Sequence, residues 1–114
     1  MEKEKKVIKE EVFDERNDII NFVKNFKSGV CKFFNFQNRC DDDPAFYFEI
    51  NNFEFNMKYL DEVVWLYGLI NDVENQMIGL EIDEIVEIAT ETYENGEFFI
   101  SITTAGFMFG VKLL

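Results

Sequence analysis

Apolar and polar residues alternate from Phe46 to Met57, and this period of two constrains the fold more than any other feature of the chain. Alternate residues of a strand lie on opposite faces of a sheet. Because Asn tolerates positive φ, the pattern predicts a hairpin with a tight turn at Asn51-Asn52. Glu49 and Glu54 then point outward, and the core face carries the apolar set Phe46, Phe48, Ile50, Phe53, Phe55 and Met57.

The other elements are predicted from helical spacing, β-branched content and turn residues. The early elements are a frayed helix or flexible tail over 1–12, a helix over 14–27 with Asp14 as its N-cap, and a strand over 30–37. The later elements are a helix over 60–74 (with a strand as the alternative), a short strand over 77–82, and strands over 97–104 and 107–113.

Residues 83–94 fit two structures. As a helix, they place an apolar stripe opposite a stripe of glutamates, Glu84, Glu87, Glu91 and Glu94. As a strand with a two-residue turn at Asn95-Gly96, they pair Tyr93 with Phe98 and turn Glu87 and Glu91 toward the core, where an unpaired carboxylate is costly. A bulge or a half-covered outer face would relieve that cost, and the sequence leaves both structures open.

Together these elements predict one α+β domain over 1–114. We expect an antiparallel sheet of four to six strands packed with one to three helices. A length of 114 residues with 47% hydrophobic content is typical of a single folded domain.

The charges of the chain are unevenly placed. Residues 1–40 carry nine bases and seven acids, whereas residues 41–114 carry sixteen acids and two bases, Lys58 and Lys112. No Lys, Arg or His occurs from Tyr59 to Val111, a stretch that holds eleven acids. Unrelieved like charge strains a compact fold, so this segregation indicates a positively charged partner.

The same charge excludes some classes of function. A net charge of −12 repels phosphate groups, so direct binding to nucleic acid or to an anionic membrane is not expected. The longest strongly apolar run, Val63–Ile70, is shorter than the about 20 residues of a transmembrane helix. The N-terminus lacks the apolar segment of a secretory signal, so the expected location is cytoplasmic.

The sequence contains no motif of an enzyme or of a cofactor site. Without histidine, the commonest general base and the Ser-His and Cys-His arrangements are absent. Cys31 and Cys40 are expected to be thiols, with a disulfide between neighbouring strands as the alternative. Asp41-Asp42-Asp43-Pro44 lacks the spacing of a calcium loop and is expected to be a solvated turn. We therefore predict no enzymatic activity, no cofactor and no metal.

The leading hypothesis is a small cytoplasmic inhibitor that binds a basic protein and occludes its active site or its nucleic-acid-binding site. The immunity protein of a nuclease-type toxin is the typical case, and a phage-encoded inhibitor of a nucleic-acid-guided nuclease would use the same physics. A third hypothesis is a structural or assembly protein that forms a homodimer through an exposed strand or a surplus of its fourteen Phe side chains.

The candidate partner-binding residues are acids expected to point outward and aromatic residues that would anchor the partner. They are Asp41, Asp42, Asp43, Glu49, Glu54, Glu84, Glu87 and Glu91, together with Tyr47, Tyr93 and Trp65.

Overall fold

Most of the described chain forms antiparallel strands, and one α-helix packs against them. The computed structural model describes residues 6–38, 47–50, 53–70 and 73–113, with the backbone alone for 32–38, 47–50, 69–70 and 74–77. In chain order the elements are β1 (Val7–Phe13), α1 (Arg16–Lys24), β2 (Gly29–Asn38), β3 (Tyr47–Ile50), β4 (Phe53–Leu60), β5 (Val63–Ile70), β6 (Val73–Glu81), a 3₁₀ turn (Ile82–Glu84), β7 (Ile85–Tyr93), β8 (Phe98–Thr104) and β9 (Phe107–Leu113).

The strands form one sheet in the order β1-β7-β8-β9-β2-β4-β5-β6, and all neighbours are antiparallel. β3 and β4 pair with the same side of β2, one after the other along its length, so the nine strands occupy eight positions across the sheet. The predicted α+β class, with four to six strands and one to three helices, is therefore wrong. Within the described ranges the protein is a sheet with a single α-helix, because segments that fit helical spacing are strands.

A short connection forces this sheet to curl. β6 is at one edge and β7 is second from the other edge, yet only the 3₁₀ turn joins them. In a flat sheet they would lie about 29 Å apart, at about 4.8 Å for each of six steps. The four residue steps from Glu81 to Ile85 span at most about 14 Å. The sheet must therefore bend until its two ends approach each other, and one face becomes concave.

α1 packs into the concave face. Ile19 and Val23, one turn apart on its inner side, are each 1% exposed, and the helix packs mainly against β4. Burying one such side chain stabilises a fold by about 1.5–3 kcal/mol. Seven strands and the 3₁₀ turn add to the same core, through Cys31, Phe53, Phe55, Met57, Val64, Leu66, Leu80, Ile82, Ile85, Ile88, Ile100, Ile102, Phe109, Val111 and Leu113.

The helix predicted over 60–74 is wrong, and the alternative, a strand, is what forms. On the core face of β5, Val64 and Leu66 are fully buried. The side chains on its other face are half-buried, namely Val63, Trp65 and Tyr67. Because both faces are at least partly covered, the strand is apolar at nearly every position and has no period of two. The same run of residues therefore also fits a helical stripe.

The hairpin predicted at Asn51-Asn52 is also wrong. These two residues lie outside the described ranges, but β3 and β4 on either side of them pair with the same edge of β2. Ile50 lies opposite Phe34 and Phe53 lies opposite Cys31. The chain advances three residues from β3 to β4 while β2 runs back three, so β3 and β4 have the same register with β2. β2 has an irregularity at the same level in its pairing with β9. The change of phase in the apolar pattern therefore does not mark a hairpin between β3 and β4, and it lies level with this irregularity of β2.

Residues 83–94, which fitted a helix or a strand, form most of the 3₁₀ turn and β7. The loop that follows holds three residues rather than two, because Tyr93 N donates to Glu97 O at 2.9 Å and Gly96 N donates to Tyr93 O at 3.0 Å. Gly96 has a φ of 89°. This geometry is that of a type I turn followed by a left-handed residue that forms a bulge.

The extra loop residue decides which face of β7 is buried. Thr92, rather than the predicted Tyr93, pairs with Phe98. A shift of one residue turns every side chain of a strand to the other face. Ile88 and Thr90 therefore face the core, and the glutamates predicted to be buried at a cost lie on the outer face.

Five other predictions are confirmed in part or in full. The helix predicted over 14–27 exists but is shorter, and Glu15 rather than Asp14 is its N-cap residue. The strands predicted over 30–37, 97–104 and 107–113 are β2, β8 and β9, and the strand predicted over 77–82 overlaps the longer β6. The frayed helix or tail predicted over 1–12 is wrong from Val7 onward, where β1 pairs with β7.

Replacing Gly96 with Ala should lower the free energy of unfolding by about 1 kcal/mol, because a Cβ atom is disfavoured at positive φ. An added Cβ would meet no atom within 4 Å, so the loss should come from the backbone alone. Urea unfolding measures it. Gly106→Ala is the control, since that position is also open and has no positive φ; an equal loss in both variants would contradict the assignment.

Replacing Gly79 with Ala should displace the indole of Trp65. The added Cβ would lie 2.3 Å from a ring carbon of Trp65, closer than two carbon atoms can approach. Trp65 is the single tryptophan of the chain, so its fluorescence emission should shift to longer wavelength as the ring moves into water. Gly106→Ala should leave the emission unchanged. Unchanged emission in the Gly79 variant would show that the indole does not cover this glycine.

Candidate functional site

Two connections between strands meet at one end of the curled sheet. Asp61-Glu62 alone joins β4 to β5, because Leu60 pairs with Val63. The 3₁₀ turn joins β6 to β7. Ile82 N donates to Glu62 O at 2.8 Å, so one connection is hydrogen-bonded to the other. The side chains on both connections are thereby fixed relative to each other by backbone geometry.

The backbone of the Asp61-Glu62 turn is strained. The φ angles are 52° at Asp61 and 63° at Glu62, as in a two-residue hairpin turn that normally contains Asn and Gly. A residue with a Cβ atom costs roughly 1–2 kcal/mol in this conformation. Stability therefore does not explain a Glu at this position, and strained residues other than Gly are typical of functional sites.

Arg16, in the first turn of α1, lies between the two connections. Its Nη1 is 2.6 Å from Asp83 Oδ1 and its Nη2 is 3.1 Å from Glu62 Oε1. Asp83 foremost, and Glu62 with it, raise the pKa of this guanidinium above its ordinary value. The group stays charged at any pH at which the protein folds. Because both pairs are exposed, their main effect is to orient two carboxylates rather than to stabilise the fold.

Five exposed carboxylates lie on the two connections or directly next to them, and we call them the acidic end: Asp61, Glu62, Glu81, Asp83 and Glu84. With Arg16 included, the group carries a net charge of −4 (five acids and one base). A shallow cavity of about 180 Å³ opens between the two connections. Within the described ranges, no three His, Cys, Asp or Glu side chains are grouped to hold a metal ion. What the acidic end offers chemically is a set of acceptors for the ammonium and guanidinium groups of another protein.

The two bases of the acid-rich half are engaged elsewhere. Lys112 Nζ lies 2.7 Å from Oε2 of Glu97, a carboxylate that is buried beside β9. Lys58 Nζ lies 4.9 Å from the centre of the Tyr67 ring, in a cation–π contact on β5. Neither contact involves a residue of the acidic end, and Arg16 offsets one of the five negative charges there.

The predicted site residues of β7 lie together on the outer face of the sheet. Glu91 and Tyr93 are half-buried, and Tyr93 Oη donates to Glu91 Oε2 at 2.6 Å. Glu87 is half-buried on the same face. Glu10 of β1 lies opposite Glu91, which places like charges side by side. These residues are partly accessible to a partner but are not the most exposed acids.

The other predicted site residues are separated from this group. Glu54 lies on β4, four strand positions from β7, where it accepts a hydrogen bond from Ser28 Oγ at 2.9 Å. Glu84 belongs to the acidic end. The half-buried Trp65 covers Gly79, which makes it a poor anchor. Asp41, Asp42 and Asp43 lie outside the described residues, and only the backbone is described for Glu49 and Tyr47. The members of the predicted set whose side chains the structure describes therefore do not form one surface.

Sequence reasoning did not select four acids of the acidic end, Asp61, Glu62, Glu81 and Asp83. All four belong to the stretch without bases, which is the sequence signal that could have found them. The helix predicted over 60–74 concealed the turn that presents Asp61 and Glu62. Nothing in the sequence indicates that this turn contacts the 3₁₀ turn, because that contact depends on the register of β5 with β6, in which Val63 lies opposite Glu81.

A second cavity, of about 590 Å³, opens between the C-terminal end of α1 and the concave face. Four aromatic rings and one leucine form its apolar walls, Phe13, Phe22, Phe26, Phe98 and Leu113. The rings pack on each other, with centroids 5.0 Å apart for Phe13 and Phe22. Exposed polar residues form the rim, among them Asp18 and Lys27. This recess can hold apolar groups and is chemically unlike the acidic end.

Comparison of the chain with protein-family models, with curated proteins and with solved structures gives no match. Among the described residues, no helix is long and apolar enough to cross a membrane. Cys31 is buried, and Cys40 lies outside the described ranges, so the choice between thiols and a disulfide stays a prediction.

Replacing Asp61 with Asn and Glu62 with Gly should raise the free energy of unfolding by about 1 kcal/mol, because the turn would then carry residues that adopt positive φ readily. The exposed pair of Glu62 with Arg16 contributes less than about 1 kcal/mol. Glu62→Gln is the control: it removes the charge, keeps the strain and should give no gain. Urea unfolding of both variants measures the difference. A loss of stability in the Asn-Gly variant would mean that these acids stabilise the fold.

Proposed function

We propose that this protein is a cytoplasmic inhibitor that binds a basic protein through the acidic end, and that it acts as the immunity protein of a nuclease-type toxin. The observation that carries the proposal is the cluster of five exposed carboxylates with one base, placed on two short connections that are hydrogen-bonded to each other. Such a surface complements the cationic cleft of a protein that handles nucleic acid.

The field of the acidic end favours rapid encounter with such a partner. Like charges concentrated on one surface attract an opposite charge from a distance and raise association rates. The excess of acids over bases in residues 41–114 adds to this field, since sixteen acids face two bases there. An inhibitor that must bind a toxin before it acts benefits more from a fast association rate than from a large contact area.

The proposed mechanism is steric occlusion without catalysis. In a nuclease cleft, Lys and Arg side chains bind the phosphates of the substrate. Carboxylates of the acidic end would take the places of those phosphates and form charge-assisted hydrogen bonds with the same cations. Arg16 holds Glu62 and Asp83 in fixed positions, so these two groups lose little conformational freedom when the partner binds.

The strain at Asp61-Glu62 supports the same proposal. A turn with Asn and Gly would fold at lower cost, yet the chain carries two acids there. Retaining acids at a cost to stability is expected where a surface is used for binding. The half-buried acids of β7 lie on the strand that follows Glu84 and would extend the contact.

Neutralising Glu81 and Glu84 together (E81Q/E84Q) should slow association with the basic partner roughly tenfold at low salt. The ion pairs of Arg16 are with Glu62 and Asp83 and involve neither of these side chains, so the fold should be unaffected. For the measurement, the protein is immobilised and used to capture basic proteins from a lysate at low salt, and the captured protein is then purified. The association rate of the captured protein with the wild type and with each variant is then recorded, together with its nuclease activity in the presence and absence of the inhibitor.

The matched control is E10Q/E94Q, which removes the same charge from two exposed residues near the opposite end of β7. This control should change the rate by less than threefold if steering is local. The difference between the two variants should shrink at high salt, where the Debye length falls to about 3 Å at 1 M. Failure to capture any basic protein at low salt, or capture of one whose nuclease activity is unchanged, would contradict the proposed function.

A further inference from the structure

β1 is an edge strand with one side unpaired in the described structure. It pairs with β7, and in the described sheet no strand lies on its other side. All five residues from Ile8 to Val12 are exposed, and Ile8 and Val12 are each 60% exposed. An open edge offers a row of backbone N–H and C=O groups to another strand. Covering the two exposed apolar side chains would also be favourable, because it removes apolar surface from water.

We propose that β1 pairs with β1 of a second copy, antiparallel and about a two-fold axis at Glu10, so that the two sheets become continuous. In this register Lys9 lies opposite Glu11 of the second copy, and Ile8 lies opposite Val12 of the second copy. Each pairing occurs twice because of the symmetry. Opposite charges and apolar residues that face each other across two strands are the pairs that stabilise a sheet.

The sequence of the strand selects this register over its neighbours. Residues directly opposite each other in an antiparallel pair point to the same face, so the two-fold axis must lie at a residue that faces its own copy. If the axis moves to Lys9, the two Lys9 side chains face each other and Ile8 lies opposite Glu10 of the second copy. If the axis moves to Glu11, the two Glu11 side chains face each other and Lys9 lies opposite an apolar Phe13. Of these three registers, the one centred on Glu10 is the one that places Lys9 opposite Glu11 and Ile8 opposite Val12. The complementarity of Lys9 and Glu11 therefore identifies a second copy of this chain as the occupant of the edge.

The side chains that form the cross-strand pairs are accessible for this exchange. Lys9 Nζ lies 3.1 Å from Glu11 Oε1 within one chain, and both side chains are largely exposed, at 65% and 44%. An exposed pair of this kind contributes little within the monomer. Replacing it by two pairs between copies therefore costs little, and the backbone hydrogen bonds of the edge are gained.

Two electrostatic terms oppose the dimer and determine how it responds to salt. Glu10 faces Glu10 of the second copy across the axis, and each chain carries a net charge of −12. Screening weakens both repulsions, so the dimer should form more strongly at high salt. Binding of a basic protein at the acidic end should respond in the opposite sense. Salt concentration therefore separates self-association from binding of the basic partner, and a negative result for one does not contradict the other.

The test is a charge exchange at Lys9 and Glu11, measured by analytical ultracentrifugation. The wild type should change from monomer to dimer between about 10 μM and 1 mM, since an interface smaller than about 1,000 Å² is weak. Lys9→Glu and Glu11→Lys should each weaken self-association at least tenfold. Mixing these two variants should restore it as a heterodimer, in which residues 9 and 11 of the two copies are again of opposite charge, and the double variant K9E/E11K should dimerise like the wild type.

Glu10→Gln should strengthen the dimer several-fold, because it removes the repulsion at the axis. The control is Glu94→Gln, which removes the same charge from an exposed residue outside β1 and should have a smaller effect. Circular dichroism of each variant checks that the sheet is intact. A wild type that stays monomeric at about 1 mM in high salt, or single variants that associate like the wild type, would overturn the proposal.

Discussion

The three-residue connection between β6 and β7 is the constraint on which the rest of the structure depends. It joins strands at positions eight and two of the sheet, and a chain that short cannot reach across a flat sheet. The sheet must curl, and curling produces the concave face that α1 fills with Ile19 and Val23. The β6–β7 connection meets the β4–β5 turn because β5 and β6 are paired with Glu81 opposite Val63, and a backbone hydrogen bond links the two connections. The curl contributes Arg16, since α1 packs into the concave face and its Arg16 reaches both connections.

The acidic end combines features that stability does not explain. Two acids occupy left-handed backbone positions where Asn and Gly would cost less. The only bases in residues 41–114, Lys58 and Lys112, are engaged with Tyr67 and with the buried Glu97. Arg16 reaches the cluster from α1 and orients two of its carboxylates without neutralising the group. A surface that keeps its charge at a cost to stability is more readily understood as a binding surface.

The predictions from sequence were correct for strands whose apolar residues lie on one face and whose neighbours in the sheet are also neighbours in the chain. β8 and β9 were predicted because their apolar residues face one core and their turns are short. They were wrong at β5, where apolar side chains on both faces imitate a helix, and at Asn51-Asn52, where the phase change lies level with an irregularity of β2 and does not mark a hairpin between β3 and β4. At β7 the choice depended on one extra loop residue, which turned Glu87 and Glu91 away from the core. The acidic end was predicted only in kind, as acids, and Glu84 is the one member of its five that the sequence had also suggested as a partner-binding residue.

The sequence by itself determined the segregation of charge, the absence of histidine chemistry and the apolar residues that must be buried. It determined these because they follow from composition and order, whatever the fold. Only the tertiary structure decided which acids lie together, since Glu62 and Asp83 are 21 residues apart in the chain and meet at Arg16. It also decided that β1 is an open edge, because the identity of an edge strand depends on the order of strands in the sheet rather than on its own residues.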